Sequence, residues 1–174
     1  MIYDQRKGDR HMKYIHTYES PLGTMIMLGT DVYITDLFFD DEKHAPAIDI
    51  KKYEEKVTGP FEVTCMWLDA YFKREKPFLV PPIELHGTEF QQKVWRLLQS
   101  IPYGKTTTYK VIATQVAKDL GKEKMSAQAV GGAVGRNPIS LIIPCHRVLG
   151  SNGSLTGYAG GIHRKKYMLE LENR

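Results

Sequence analysis

Cysteine is scarce in this chain: 174 residues hold only Cys65 and Cys145. One disulfide is the most that could form, so a disulfide-built secreted scaffold is excluded and a reducing compartment fits better. No Cys and His fall at the spacing of a zinc site. Long apolar runs are missing as well, and the longest are far too short to cross a bilayer. The opening stretch MIYDQRKGDRHMKY is charged and lacks an apolar signal region, so export is not expected. Internal repeats and low-complexity tracts are absent. The second half is poor in acid: residues 85–174 hold five Asp and Glu against 13 Lys and Arg, while residues 1–84 hold 15 against 11. A basic half beside an acidic one points to a polyanionic partner, with a solvated basic surface as the plainer reading.

The length and ordinary composition suit one domain or two small ones with a real core. Residues 12–40 read as β. KYIHTYES, GTMIML and VYITDLFF are rich in β-branched and aromatic residues, and turn signals at Pro21-Leu22-Gly23 and Gly29-Thr30-Asp31 separate them. Residues 41–59 are charged and read as loop with a short helix. FEVTCMW, residues 61–67, reads as a further strand, followed by a helix through Tyr71. Cys65 lies in this apolar stretch and reads as a buried structural thiol. KPFLVPPIEL, 76–85, is proline-rich and reads as an extended linker. The division expected is an α/β domain over 1–80, whose start is free to be disordered, and a second domain over 81–174.

From Gly87 the pattern becomes helical. Thr88-Glu89-Phe90-Gln91 is a capping box, and Phe90, Val94, Leu97 and Leu98 share one helix face. Pro102 and Gly104 break this helix. The next starts among Thr106, Thr107 and Thr108, with Ile112, Ala113, Val116, Ala117 and Leu120 on one face, and ends at Gly121. Ser126 can cap a third helix, AQAVGGAVG. Two short helices joined by a tight turn, in the basic half, form a helix-turn-helix candidate. The third helix carries Gly131, Gly132 and Gly135, each costing about 1 kcal/mol relative to alanine. With Ala127, Ala129 and Ala133 they predict a nearly bald surface. It suits either packing on a neighbouring helix or close approach to a groove of DNA.

IIPCHRVLG, 142–150, places the second cysteine at a corner. An apolar run leads in, Pro144 stiffens the bend, and Gly150-Ser151-Asn152-Gly153 leads out. A free thiol is only a few per cent thiolate at neutral pH, so a nucleophilic cysteine needs a base or a positive field. His146 and Arg147 are adjacent. His146 would need an orienting carboxylate, and Glu89, Asp119, Glu123, Glu170 and Glu172 are the acids of this half. A core thiol beside a hydrogen-bonded histidine is the bland alternative.

IPCHRV (143–148), with GRNP (135–138) before it and SLTGYAGG (154–161) after it, resembles the O6-alkylguanine-DNA alkyltransferases. GTEFQQKVWRLLQSIPYGKTTTYKVIA, 87–113, is similar to their pattern too. The resemblance is strong over 87–172; residues 12–80 match only in length and β-rich texture. It implies an N-terminal α/β domain of ribonuclease H-like build and a mainly helical C-terminal domain. It further implies irreversible, single-use transfer of an alkyl group from O6-alkylguanine, and also O4-alkylthymine, in double-stranded DNA to Cys145. No metal and no organic cofactor would be needed. His146 would be the base, acting through water, Glu172 its orienting carboxylate and Asn137 the brace of the turn. Tyr109 would assist nucleotide rotation and protonate the leaving guanine. Val148, Tyr158, Ala159 and Val134 would line the pocket. Gln128, Ala127, Ala129, Gly131, Arg136, Lys124 and Thr108 would meet DNA. A monomer is implied, with no membrane association, cytoplasmic or nucleoid-bound in a bacterium and nuclear in a eukaryote.

The chain departs from the family pattern in places. Gln128 stands where arginine is usual, and Ala159 where serine is common. Cys65 alone cannot supply the zinc site that some relatives have in the N-terminal part. Two other readings compete: a protein that flips alkylated bases without chemistry, and a cysteine hydrolase. Relatives of the first kind have lost the cysteine, so its presence here argues against that reading; the second would turn over and need no duplex.

Overall fold

The structure, a computed structural model, describes residues 12–75 and 79–173. The expected disordered start concerns residues 1–11, which lie outside the described residues. Strands β1 (Tyr14–Ser20) and β2 (Gly23–Gly29) form a hairpin in which Tyr14 faces Gly29 and Ser20 faces Gly23. Strand β3 (Ile34–Phe39) adds antiparallel to β2, and short β4 (Glu54–Glu55) adds parallel to β1, giving the order β3-β2-β1-β4. The period-two pattern buries Met25 and Met27 from β2 and Leu37 and Phe39 from β3 in the core.

Helix α1 (Gly59–Phe72) packs against β1 and overturns the strand expected at 61–67. Short β-rich windows do not separate strand from helix, and the longer spacing decides here. Phe61, Thr64, Leu68 and Tyr71 are buried at steps of three, four and three. Pro60 sits in the first turn, where its missing N–H costs nothing. The Thr64 hydroxyl donates back to the Pro60 carbonyl at 2.7 Å, so burying it leaves no orphan group.

The second half is mainly helical. In α2 (Glu89–Gln99) the capping box forms as expected, with Thr88 and Gln91 exchanging hydrogen bonds of 2.9 and 3.2 Å. Helix α3 (Tyr109–Asp119) is capped by Thr108, and α4 (Ala127–Val134) by Ser126. Ile112, Ala113 and Val116 from α3 share the core with Val130, Ala133 and Val134 from α4. Together α3 and α4 make the helix-turn-helix. Strands β5 (Thr107–Thr108) and β6 (Val148–Leu149) pair in parallel. A last helix, α5 (Ile162–Glu172), has no counterpart in the reading above.

The two halves are stitched along the outer edge of β3. Ile34 N donates to Pro82 O and Glu84 N to Ile34 O, so the segment read as a linker lies pinned to the sheet. Further along, Leu37 N donates to Pro138 O at 2.8 Å and Ser140 N to Leu37 O at 2.7 Å. The chain leading to Cys145 is therefore anchored to the N-terminal sheet. Arg164 adds a clamp: it pairs with Asp41 at 2.6 Å and donates to the carbonyls of Leu22 and Gly160.

Candidate active site

The corner before Cys145 is held by one side chain. Asn137 is buried; its Oδ1 accepts from Ile139 N, and its Nδ2 donates to Ile143 O at 2.8 Å and to Cys145 Sγ at 3.1 Å. Between these anchors Leu141 takes a φ of 67°, costly for a residue with a Cβ. Cys145 then opens a single 3-10 turn, Cys145–Arg147, behind Pro144. Burial pushes its thiol up to about 12, and the Asn137 bond opposes this only in part. At rest the sulfur is a protonated, shielded thiol.

His146 is fully buried, and its Nε2 lies 2.6 Å from Glu172 Oε1. Glu172 reaches it from the last turn of α5, far along the chain. Arg147 grips the same carboxylate with Nε to Oε2 at 2.9 Å and Nη2 to Oε1 at 3.0 Å. Gly104 N donates to Oε2 at 3.1 Å, and the Tyr71 hydroxyl to Oε1 at 2.8 Å. Burial works to raise Glu172, but the bonds from His146 and Arg147 together prevail and hold it at about 2. Burial lowers His146 despite the pull of Glu172. An ionised Glu172 can only accept, so Nε2 carries the imidazole proton and Nδ1 is the free lone pair. Nδ1 is buried with no hydrogen-bond partner among the described residues. It is a base one residue from the thiol.

Lys165, on α5, is completely buried. Its Nζ donates to Val148 O and to Thr156 O, tying the strand after the cysteine to the loop that follows. Burial lowers it to about 8, while Cys145 works the other way. The Thr156 carbonyl also accepts from the Tyr109 hydroxyl at 3.0 Å, and Gly157 O accepts from it at 3.1 Å. Gly157 has a φ of 69°, and a Cβ there would lie 2.8 Å from that hydroxyl, so glycine alone permits the approach. Burial and the nearby Cys145 push the Tyr109 phenol up to about 12. Tyr158 is buried, and half-buried Ala159 offers its carbonyl to Lys43 N at 3.1 Å.

The expected residues separate into a brought-together group and a surface group. Asn137 bonds Cys145 and His146 bonds Glu172, and the Cys145–His146 peptide joins the two pairs; Lys165 ties Val148 O to Thr156 O, which also accepts from Tyr109, and Tyr158 lies buried in the same loop. Val134 lies in the core at the end of α4. Ala127, Gln128 and Ala129 stand exposed on the first turn of α4, and Gly131 faces the Tyr109 ring. Ala133 does not join this surface: it is buried, and its carbonyl accepts from Trp95 Nε1 at 2.9 Å. Lys124 is exposed in the turn before α4, and with Lys110, Lys118 and Lys122 it rims a cleft of about 490 Å³. Thr108 is spent on capping α3, and Arg136 is exposed beyond α4, near the Gly132 carbonyl. Tyr71, Gly104 and Lys165 escaped the sequence reading. Among the described residues no group of three His, Cys, Asp or Glu is arranged to hold a metal, and no helix is long and apolar enough to cross a membrane.

The site is a braced cysteine beside a buried histidine–carboxylate pair, in the half of the chain that carries the helix-turn-helix. Comparison with known proteins gives the family. Residues 13–85 match the ribonuclease-like domain of 6-O-methylguanine DNA methyltransferase, and residues 89–174 match its DNA binding domain. The Mycobacterium tuberculosis methylated-DNA–protein-cysteine methyltransferase is 40% identical over 161 residues, covering 92% of this chain and 93% of the relative. The Mycobacterium leprae protein of the same name is 42% identical over the same shares. The crystal structure of Mycobacterium tuberculosis OGT in complex with DNA is similar at a TM-score of 0.79 and 39% identity, covering 92% of both chains. The chain belongs to the 6-O-methylguanine DNA methyltransferase family. Its function is DNA repair by direct reversal, with an alkyl group passing from DNA to a cysteine of the protein.

Proposed function

We propose that Cys145 is the acceptor and that its substrate is O6-alkylguanine, with O4-alkylthymine as a second one, in double-stranded DNA. The observation that carries this is the Asn137–Cys145 bond beside the buried His146–Glu172 pair. The thiol is a poor nucleophile at rest, so its proton must leave as the substrate arrives. His146 Nδ1 takes that proton through one water, while Glu172 holds Nε2–H and stabilises the imidazolium. The sulfur attacks the alkyl carbon, the C–O6 bond breaks, and the electron pair goes to guanine. Tyr109 leaves the loop carbonyls, donates its proton to the departing base and recovers one from solvent. The product is a thioether, which no group in the site can cleave, so each molecule acts once.

The target atom lies inside the duplex, and reaching it requires flipping the nucleotide at a cost of a few kcal/mol. The small residues of α4 permit close approach in the minor groove. Val148, Tyr158 and Ala159 line the receiving pocket, and Val134 supports it from the core. Thr108, Lys124 and Arg136 meet the backbone. The protein acts as a monomer in the cytoplasm, on the nucleoid of a bacterium or in the nucleus of a eukaryote. No metal or organic cofactor takes part in the steps above. Incubation with a duplex carrying O6-methylguanine tests the whole reading. One methyl should leave DNA per protein molecule, and the reaction should stop there. Repeated turnover, or binding without loss of the methyl, would refute it.

Gln128 occupies the space vacated by the flipped guanine. It lacks the charge of arginine, so it adds little to the salt dependence that phosphate contacts create. Gln128→Ala should slow repair of duplex more than repair of free O6-benzylguanine, which needs no flipping. Gln128→Arg should tighten duplex binding. Equal slowing on both substrates would place Gln128 in folding or in the pocket.

A further inference from the structure

A polar group of the N-terminal half reaches the relay. Tyr71, on α1, is 1% exposed, and its ring packs between Trp67 (5.4 Å, near-parallel), Phe72 and Tyr103. Phenylalanine would satisfy that packing equally well. The hydroxyl is what needs explaining. It donates to Glu172 Oε1 at 2.8 Å and lies 3.4 Å from His146 Nε2. Oε1 thus serves His146, Arg147 and Tyr71, while Oε2 serves Arg147 and Gly104. Five donors meet a carboxylate with about four lone-pair sites. Tyr71 and His146 therefore compete for one oxygen.

We propose that Tyr71 is a positioning residue of the relay: from the N-terminal half it occupies Glu172 Oε1 and so limits how strongly the carboxylate holds the protonated His146. This rests on the reading above, in which His146 accepts the thiol proton. The charged and titratable groups facing the pair are Arg147 beside it, Lys165 on α5 and Tyr103, on which Arg74 acts in turn. The consequence has a definite sign. Without the hydroxyl, Oε1 is left to His146 and Arg147, the imidazolium is better stabilised, and His146 holds a proton to higher pH. The acid limb of the rate profile then moves upward.

Tyr71→Phe keeps the ring and its neighbours, so the variant folds. Single-turnover rates on free O6-benzylguanine should be measured against pH for the parent, Tyr71→Phe, His146→Ala and Trp67→Phe. The last changes the packing on the Tyr71 ring but removes no donor to Glu172. We expect the Tyr71→Phe limb to shift up by about one unit, a tenfold loss of rate at a fixed acidic pH. The His146 imidazole 15N shifts should move as well. Trp67→Phe should lower the melting temperature and leave the limb in place. If His146→Ala differs from the parent but Tyr71→Phe keeps the parental limb, Tyr71 is only a packing residue. A downward shift overturns the assignment too. If the parent and His146→Ala share one profile, the relay reading itself fails, and the role of Tyr71 with it.

Discussion

Cys145→Ser abolishes alkyl transfer while duplex binding stays nearly unchanged. The substitution replaces sulfur by oxygen and little else. Asn137 Nδ2 can donate to a serine hydroxyl as it does to the thiol, so the corner keeps its brace. What is lost is a soft, ionisable nucleophile suited to displacement at saturated carbon. Intact-mass analysis of the parent after reaction should show one added methylene equivalent, on the peptide that contains Cys145. Cys65 is the internal control. It is half-buried on α1, and burial, with Asp69 and Glu62 nearby, keeps its thiol above the ordinary value. Cys65→Ser should therefore accept a full equivalent. Label on Cys65, or transfer by the serine variant, would remove Cys145 from its role.

What could be read from the chain follows the range of the interaction concerned. The β1–β2 hairpin and the caps of α2, α3 and α4 depend on residues within a few positions of each other, and all formed as expected. Helix α1 looks like a strand locally because its first residues are β-rich, while the apolar face that makes it a helix runs from Phe61 to Tyr71. Helix α5 was missed for a different reason. Two of its buried residues are Arg164 and Lys165, which look like solvent-facing positions until their carbonyl and carboxylate partners are known. The site shows the same split. Cys145 and His146 stood out as neighbours at a stiff corner. Glu172 could not be told from four other acids by spacing and came only from the family pattern. Tyr71 gave no signal at all, because its meaning depends on a partner 101 positions away. The bald surface was partly wrong at Ala133, where helical phase turns a small residue into the core.

Glu172→Ala should cost about 3–5 kcal/mol of stability, the usual loss when one partner of a buried charge cluster is removed. Arg147 and His146 stay buried without their acceptor, and the Tyr71 hydroxyl and Gly104 N–H lose theirs. Single-turnover transfer should fall by about 10²-fold or more, because the base loses its orientation and its counter-charge. Glu172→Gln is no gentler test in this site. At the Oε2 position the amide nitrogen would face Arg147 and Gly104, which only donate, and at the Oε1 position it would require Tyr71 or His146 Nε2 to turn from donor to acceptor. The pH dependence separates this account from simple loss of packing. Glutamate titrates near 4.5 when free and at about 2 here. A lowered carboxylate stabilises the fold in full above its free value, and that contribution disappears as pH falls from 4.5 toward 2. Urea unfolding of the parent and of Glu172→Ala should therefore differ most above pH 4.5 and converge below it. A gap that stays constant through that window would mean that Glu172 supports the fold through volume alone, and a base held by no carboxylate would then have to account for the reaction.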